Sequence, residues 1–180
     1  MKTIKILLLS IFVTAGLASC NSDDDSNVQT FSANLSQLNN SGASGTVNVS
    51  VNGNIMTVNV QATGMVANQA HPQHIHGKDD GTNATCPPPS ADTNSDGTIT
   101  IPEGAPFYGA VILPLENFPT ADANGTVTYS QTFTLGEGET PTAETLSALE
   151  NRAIVLHGLN DGSGTYVATT PVACGELVRN

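Results

Sequence analysis

From Gly45 to Ala62 the chain changes character at every step. Gly45-Thr46-Val47-Asn48-Val49-Ser50-Val51 sets valine at alternate positions, Asn52-Gly53-Asn54 supplies a turn, and Ile55-Met56-Thr57-Val58-Asn59-Val60-Gln61-Ala62 alternates again. A period of two gathers the apolar residues on one side of an extended chain, whereas a helical period of 3.6 would scatter them. The stretch therefore predicts a β-hairpin with one buried face. Val111 to Leu113, Gly125 to Leu135 after the Asp122-Ala123-Asn124-Gly125 turn, and Ala153 to His157 read as further strands. Only Ala143 to Leu149, entered through Pro141 and Thr142, has a helical cast of a turn or two. Residues 30–180 suit one all-β domain, a sandwich or flattened barrel.

What precedes that domain reads as an address. Lys2 and Lys5, an apolar run from Ile6 to Val13 and then Leu17-Ala18-Ser19-Cys20 predict a signal peptide over residues 1–19, too short to span a membrane. Small residues before Cys20 resemble the bacterial lipobox, which implies lipidation of Cys20. Residues 20–29, with Asn21-Ser22-Asp23-Asp24-Asp25-Ser26, predict a disordered acidic tether. They also resemble the surface-export signals that follow the lipidated cysteine in some Gram-negative lipoproteins. The expected location is extracytoplasmic, with the membrane met through the lipid anchor alone. Beyond the signal, three basic residues face 16 acidic ones, a net of 3 − 16 = −13. Such a charge excludes nucleic acid and anionic membrane surfaces as partners. With Cys20 lipidated, Cys86 and Cys174 remain, and an isolated pair in an oxidising compartment reads as one disulfide.

The histidines carry the chemistry. Three of the four lie in His71-Pro72-Gln73-His74-Ile75-His76-Gly77, and the fourth is His157. On a strand, His74 and His76 share a face while Ile75 points to the other. Two imidazoles on one face are part of a metal site, and a third from a distant strand would complete one suited to copper or zinc. No Gly-x-Ser-x-Gly elbow accompanies them.

Several stretches, in order, resemble the Cu,Zn superoxide dismutase family. They are Gly64-Met65 with His71-Pro72-Gln73-His74-Ile75-His76, Asn117-Phe118-Pro119-Thr120-Ala121-Asp122-Ala123-Asn124-Gly125, Arg152 to His157, and Val172-Ala173-Cys174-Gly175. The resemblance implies a Greek-key β-sandwich or flattened barrel, His74, His76 and His157 as copper ligands, His71 as a brace for the copper strand, and a Cys86–Cys174 disulfide. The chain also departs from the family. No histidine lies between His76 and His157, so neither the metal-bridging histidine nor zinc in the family's place is expected. Pro171 stands where the family has the arginine that guides superoxide. Little or no turnover of superoxide is the expectation. There is also a partial resemblance to the CHRD domains, with His74-Ile75-His76-Gly77 similar to their Ala-His-Ile-His-Gly type motif, which implies a non-catalytic binding or structural module as the alternative.

Residues 92–103 replace the family's zinc loop. Asp92-Thr93-Asn94-Ser95-Asp96-Gly97-Thr98-Ile99-Thr100-Ile101-Pro102-Glu103 fits the calcium loop of an EF-hand. Asp92, Asn94 and Asp96 offer oxygens, Gly97 the sharp turn, Thr98 its carbonyl, Thr100 a contact through water, and Glu103 both carboxylate oxygens. Calcium is thus a second expected ion. Pro87-Pro88-Pro89 before the loop and Gly104-Ala105-Pro106 after it read as helix breakers, so no helix is expected on either side.

Overall fold

The structure is a computed structural model that describes residues 28–138, 140–146 and 148–180. The expected signal peptide, Cys20 and all but the last two tether residues lie outside them. Among the described residues no helix is long and apolar enough to cross a membrane.

The expected hairpin is β2 (Ser44–Asn52) and β3 (Ile55–Thr63), joined through Gly53 at a φ of 60° and paired in register from Asn52 opposite Ile55 to Ser44 opposite Thr63. Around it run β1 (Gln29–Gln37), β4 (Gln73–Gly77), β5 (Ala110–Pro114), β6 (Val127–Thr134), β7 (Ala153–Asn160), β8 (Tyr166–Glu176) and β9 (Val178–Arg179). All pairings are antiparallel, in the order β5-β4-β7-β8-β1-β2-β3-β6, with β9 beside β1. The sheet curls into a half-barrel, which is the expected all-β flattened barrel. β1 turns its corner, pairing with β2 through Leu35 and then with β8 through Ser36 and Gln37. The two free edges, β5 and β6, are bridged where the Tyr129 hydroxyl donates to the Glu116 carbonyl at 3.1 Å.

Period-two burial fills the inside. Val47 and Val49 of β2 and Met56, Val58, Val60 and Ala62 of β3 meet Ile75, Leu113, Ile154 and Leu156 from the opposite half in one core. A second, smaller core lies on the outer face of β7 and β8. There Ala153, Val155 and Cys174 are covered by Leu38, Ala84 and Tyr108. Ala84 and Tyr108 belong to residues 78–109, the long connection between β4 and β5.

That connection corrects one expectation. Instead of a helix-free flank, the calcium-like loop runs directly into α1 (Ile101–Tyr108) and is preceded by a 3-10 turn, Pro89–Ala91. Thr100 and Glu103 form a capping box, with Thr100 N–H and Oγ1–H donating to Glu103 Oε2 at 2.9 and 2.7 Å. A proline in the first turn has no intrahelical N–H to lose, so Pro102 is a starter here and not a breaker. The helix expected over 143–149 is replaced by turns at 143–146 and a 3-10 turn, Leu149–Asn151. One bond of helical spacing, from Leu146 N–H to the Thr142 carbonyl, is all that its described residues retain.

Candidate metal centre

β4 and β7 are neighbours, with His74 opposite Val155. Residues opposite each other in an antiparallel pair share a face. His74, His76, Val155 and, two residues on, His157 therefore project together from the outer face, while Ile75 and Leu156 point into the main core. The register shifts on both sides of His157, where Gly158 adopts a φ of 111°. Bulges re-aim side chains in this way. A Cβ at Gly158 would stand 2.1 Å from the Tyr166 hydroxyl and 2.7 Å from His71 Nδ1, so close approach as well as backbone shape requires glycine.

One nitrogen from each of His74, His76 and His157 lies within 4.8 Å of the others. Nδ1 of His74 and Nε2 of His76 and His157 are buried without a hydrogen-bond partner. The opposite nitrogens of two rings are fixed. His76 Nδ1–H donates to the Gly109 carbonyl at 3.1 Å, and His157 Nδ1–H donates to the Thr169 carbonyl at 2.9 Å. A carbonyl can only accept, so each Nδ1 carries the proton and each Nε2 keeps its lone pair. Burial pushes all three imidazoles down in pKa, His76 and His157 to about 4. The rings are neutral and nucleophilic at neutral pH, the form in which imidazole binds a metal.

Three donors about 2.0–2.1 Å from an ion in a trigonal plane are about 3.5 Å apart. The triad is thus within a small inward shift of ligating geometry, and three orphaned lone pairs give a cation somewhere to go. Its surroundings are aromatic. Tyr108, at the end of α1, packs against His76 with ring centroids 4.7 Å apart, and Phe118 lies edge-on to His74 at 5.8 Å. Neither is evident as a site residue in the sequence. Tyr108 belongs to the unexpected helix, and Phe118 reaches the centre from a loop after β5.

His71 is fully buried beneath the triad. Its Nδ1 faces the His157 carbonyl at 2.8 Å and its Nε2 the Val66 carbonyl at 3.0 Å, tying the turn before β4 to the bulge. Cys86 and Cys174 are bonded, with Cα atoms 5.7 Å apart, and fasten the 78–109 segment to β8. Pro171 is paired with His157, and its carbonyl accepts from Asn39 Nδ2 at 2.9 Å.

The residues expected to hold calcium bond among themselves. Among the described residues the histidine triad is the set of His, Cys, Asp and Glu side chains that gathers within metal-binding reach, and Asp92, Asp96 and Glu103 do not join in such a group. Asp92 accepts from the N–H groups of Asp96 and Gly97 at 3.2 and 2.9 Å, and Asp96 from Thr98 N–H at 2.8 Å. Asn94 bonds Asp96 through its amide. Glu103 is shared between Thr93 and Thr100, and the Thr100 N–H above all holds its carboxyl down at about 2.

No model of a known protein family matches the chain, and no curated protein matches it.

Proposed function

We propose that the protein is a lipid-anchored, extracytoplasmic metal-binding module of the Cu,Zn superoxide dismutase-like type, holding one copper ion on His74, His76 and His157. The observation that carries this reading is the convergence of three buried, unpartnered imidazole nitrogens from two strands. Copper suits an all-imidazole set. Copper bound there would supply one-electron redox chemistry. The chain's own part is to hold two rings in the Nδ1–H tautomer and to keep the centre dry with Tyr108 and Phe118.

Rapid dismutation is not part of the proposal. Pro171 supplies no cation beside His157, and a net charge of −13 beyond the signal repels an anionic substrate. This favours a CHRD-like role, binding without turnover, as the second reading. The lipobox-like Cys20 supports the anchor, and the Asp92–Glu103 loop with its exit helix supports a weak structural calcium site.

The test is metal analysis of protein purified from its own envelope fraction. One copper per chain, lost in His157→Ala, is the expected result; wild-type protein that neither carries nor takes up copper overturns it. A Cys20→Ser variant is expected to leave the membrane fraction. Calcium is expected to raise the thermal midpoint of wild type but not of Glu103→Ala, and an equal response in both removes that loop as a site.

A further inference from the structure

Of the three rings, His74 is the one that reaches the surface. His76 and His157 are 4% and 2% exposed, whereas His74 is half-buried. Apolar residues stand beside His74 and His76. Phe118, edge-on to His74, is 37% exposed. Val111, 46% exposed, stands opposite His76 in the β4–β5 register and so shares its face, and Pro114 stands opposite His74. One extra residue, Ile112, bulges between them, and its side chain packs on the main core instead.

Among the described residues no hydrogen bond brings a lysine or arginine to these side chains. The basic residues among those described are Lys78, Arg152 and Arg179. Arg152 Nη2 donates to the Thr145 carbonyl at 3.2 Å, and Arg179 lies over the Phe31 ring and bonds Gln29. Lys78 follows Gly77 at the end of β4 and begins the long connection to β5.

We propose, resting on the metal-centre reading above, that the open side of the centre selects an uncharged nitrogen or sulfur donor with an apolar body, and that Val111 and Phe118 set this selectivity against anions. An anion must give up water against the apolar side chains of Phe118, Val111 and Pro114, and must cross the field of an acidic chain. A neutral donor meets neither barrier. It offers its lone pair to the ion and buries its body against Phe118 and Val111.

The experiment uses the full chain loaded with one equivalent of Cu(II), with imidazole and azide as probes at pH 8, read by electron paramagnetic resonance and absorbance. Imidazole is expected to bind at least about tenfold more tightly than azide, and azide affinity to rise with added salt as screening weakens the repulsion. Val111→Lys, at an exposed edge-strand position, is expected to raise azide affinity about tenfold and leave imidazole within about twofold. Phe118→Ala is expected to weaken imidazole binding about fivefold. Copper stoichiometry and circular dichroism are measured first for each variant, with Phe118→Lys replacing Val111→Lys if the latter fails to fold. Azide binding as tight as imidazole, or an unchanged ratio in the lysine variant, overturns the selectivity while leaving the metal centre standing. Wild-type protein that takes up no copper overturns the metal-centre reading and this proposal with it.

Discussion

Gln73 occupies an unusual place for an amide. It sits beside His74 in sequence but points to the other face, fully buried, and neither its Nε2 nor its Oε1 has a hydrogen-bond partner. A buried polar group left unpaired costs about 1–3 kcal/mol. Gln73→Met, similar in length and without polar hydrogens, is therefore expected to raise unfolding free energy by about 1–3 kcal/mol in urea titration, and a destabilised variant would show that the amide is satisfied in solution. Asp122 is the opposite case. Its carboxylate accepts from the N–H groups of Asn124 and Thr126, each at 2.8 Å, and these bonds hold its pKa below the usual value. Asp161 repeats the arrangement with Ser163 and Thr165, both at 2.9 Å. A depressed folded-state pKa stabilises the protein above the ordinary carboxylate pKa and loses that contribution as pH falls through the folded value. Asp122→Asn is expected to be less stable than wild type at pH 7, with the gap closing below about pH 4. A gap that is constant from pH 7 to pH 3 would assign the loss to something other than the charge.

Among the elements, the bulge at His157-Gly158 is the one on which the centre turns. Gly158→Ala would be strained at a φ of 111° and would press on the Tyr166 hydroxyl and His71. A loss of roughly 2–4 kcal/mol is expected, together with weaker copper binding, because the bulge aims His157. Unchanged copper affinity in the folded variant would separate the bulge from the site. The elements also show what can be read from a sequence. The β2–β3 hairpin is legible because alternation and a turn are local signals carried by adjacent residues. β1 carries the same signal in Phe31, Ala33 and Leu35, all buried, yet it begins at Gln29, inside what reads as tether. α1 is illegible by its residues, since Gly104 and Pro106 argue against a helix. It exists because the Thr100–Glu103 box starts it and Tyr108 has a core to enter.

At the scale of the molecule, pairing order and the second core depend on contacts between distant segments, which no local pattern contains. The His74–His76 pair is legible from strand geometry alone. Its union with His157 needed the β4–β7 neighbourhood, and Phe118 and Tyr108 needed the loops that fold over it. The Cys86–Cys174 bond joins residues 88 apart. In the loop-entropy model its removal is expected to cost about 4–5 kcal/mol, an upper figure for the Cys86→Ser, Cys174→Ala double variant measured against oxidised wild type. Because the bond holds the covering segment to β8, copper affinity is expected to fall as well, and a variant that keeps both stability and affinity would show the segment to be held by packing alone.

Residues 78–109 join β4 to β5, which are antiparallel neighbours, and such neighbours can be joined by a turn of two residues. The barrel thus has no topological use for this excursion. The strands set the pairing of the barrel, and the excursion covers the histidine cluster and the smaller core on its outside without entering that pairing. A lineage could lengthen, shorten or replace the cover over the histidines without asking the strands beneath to find a new register.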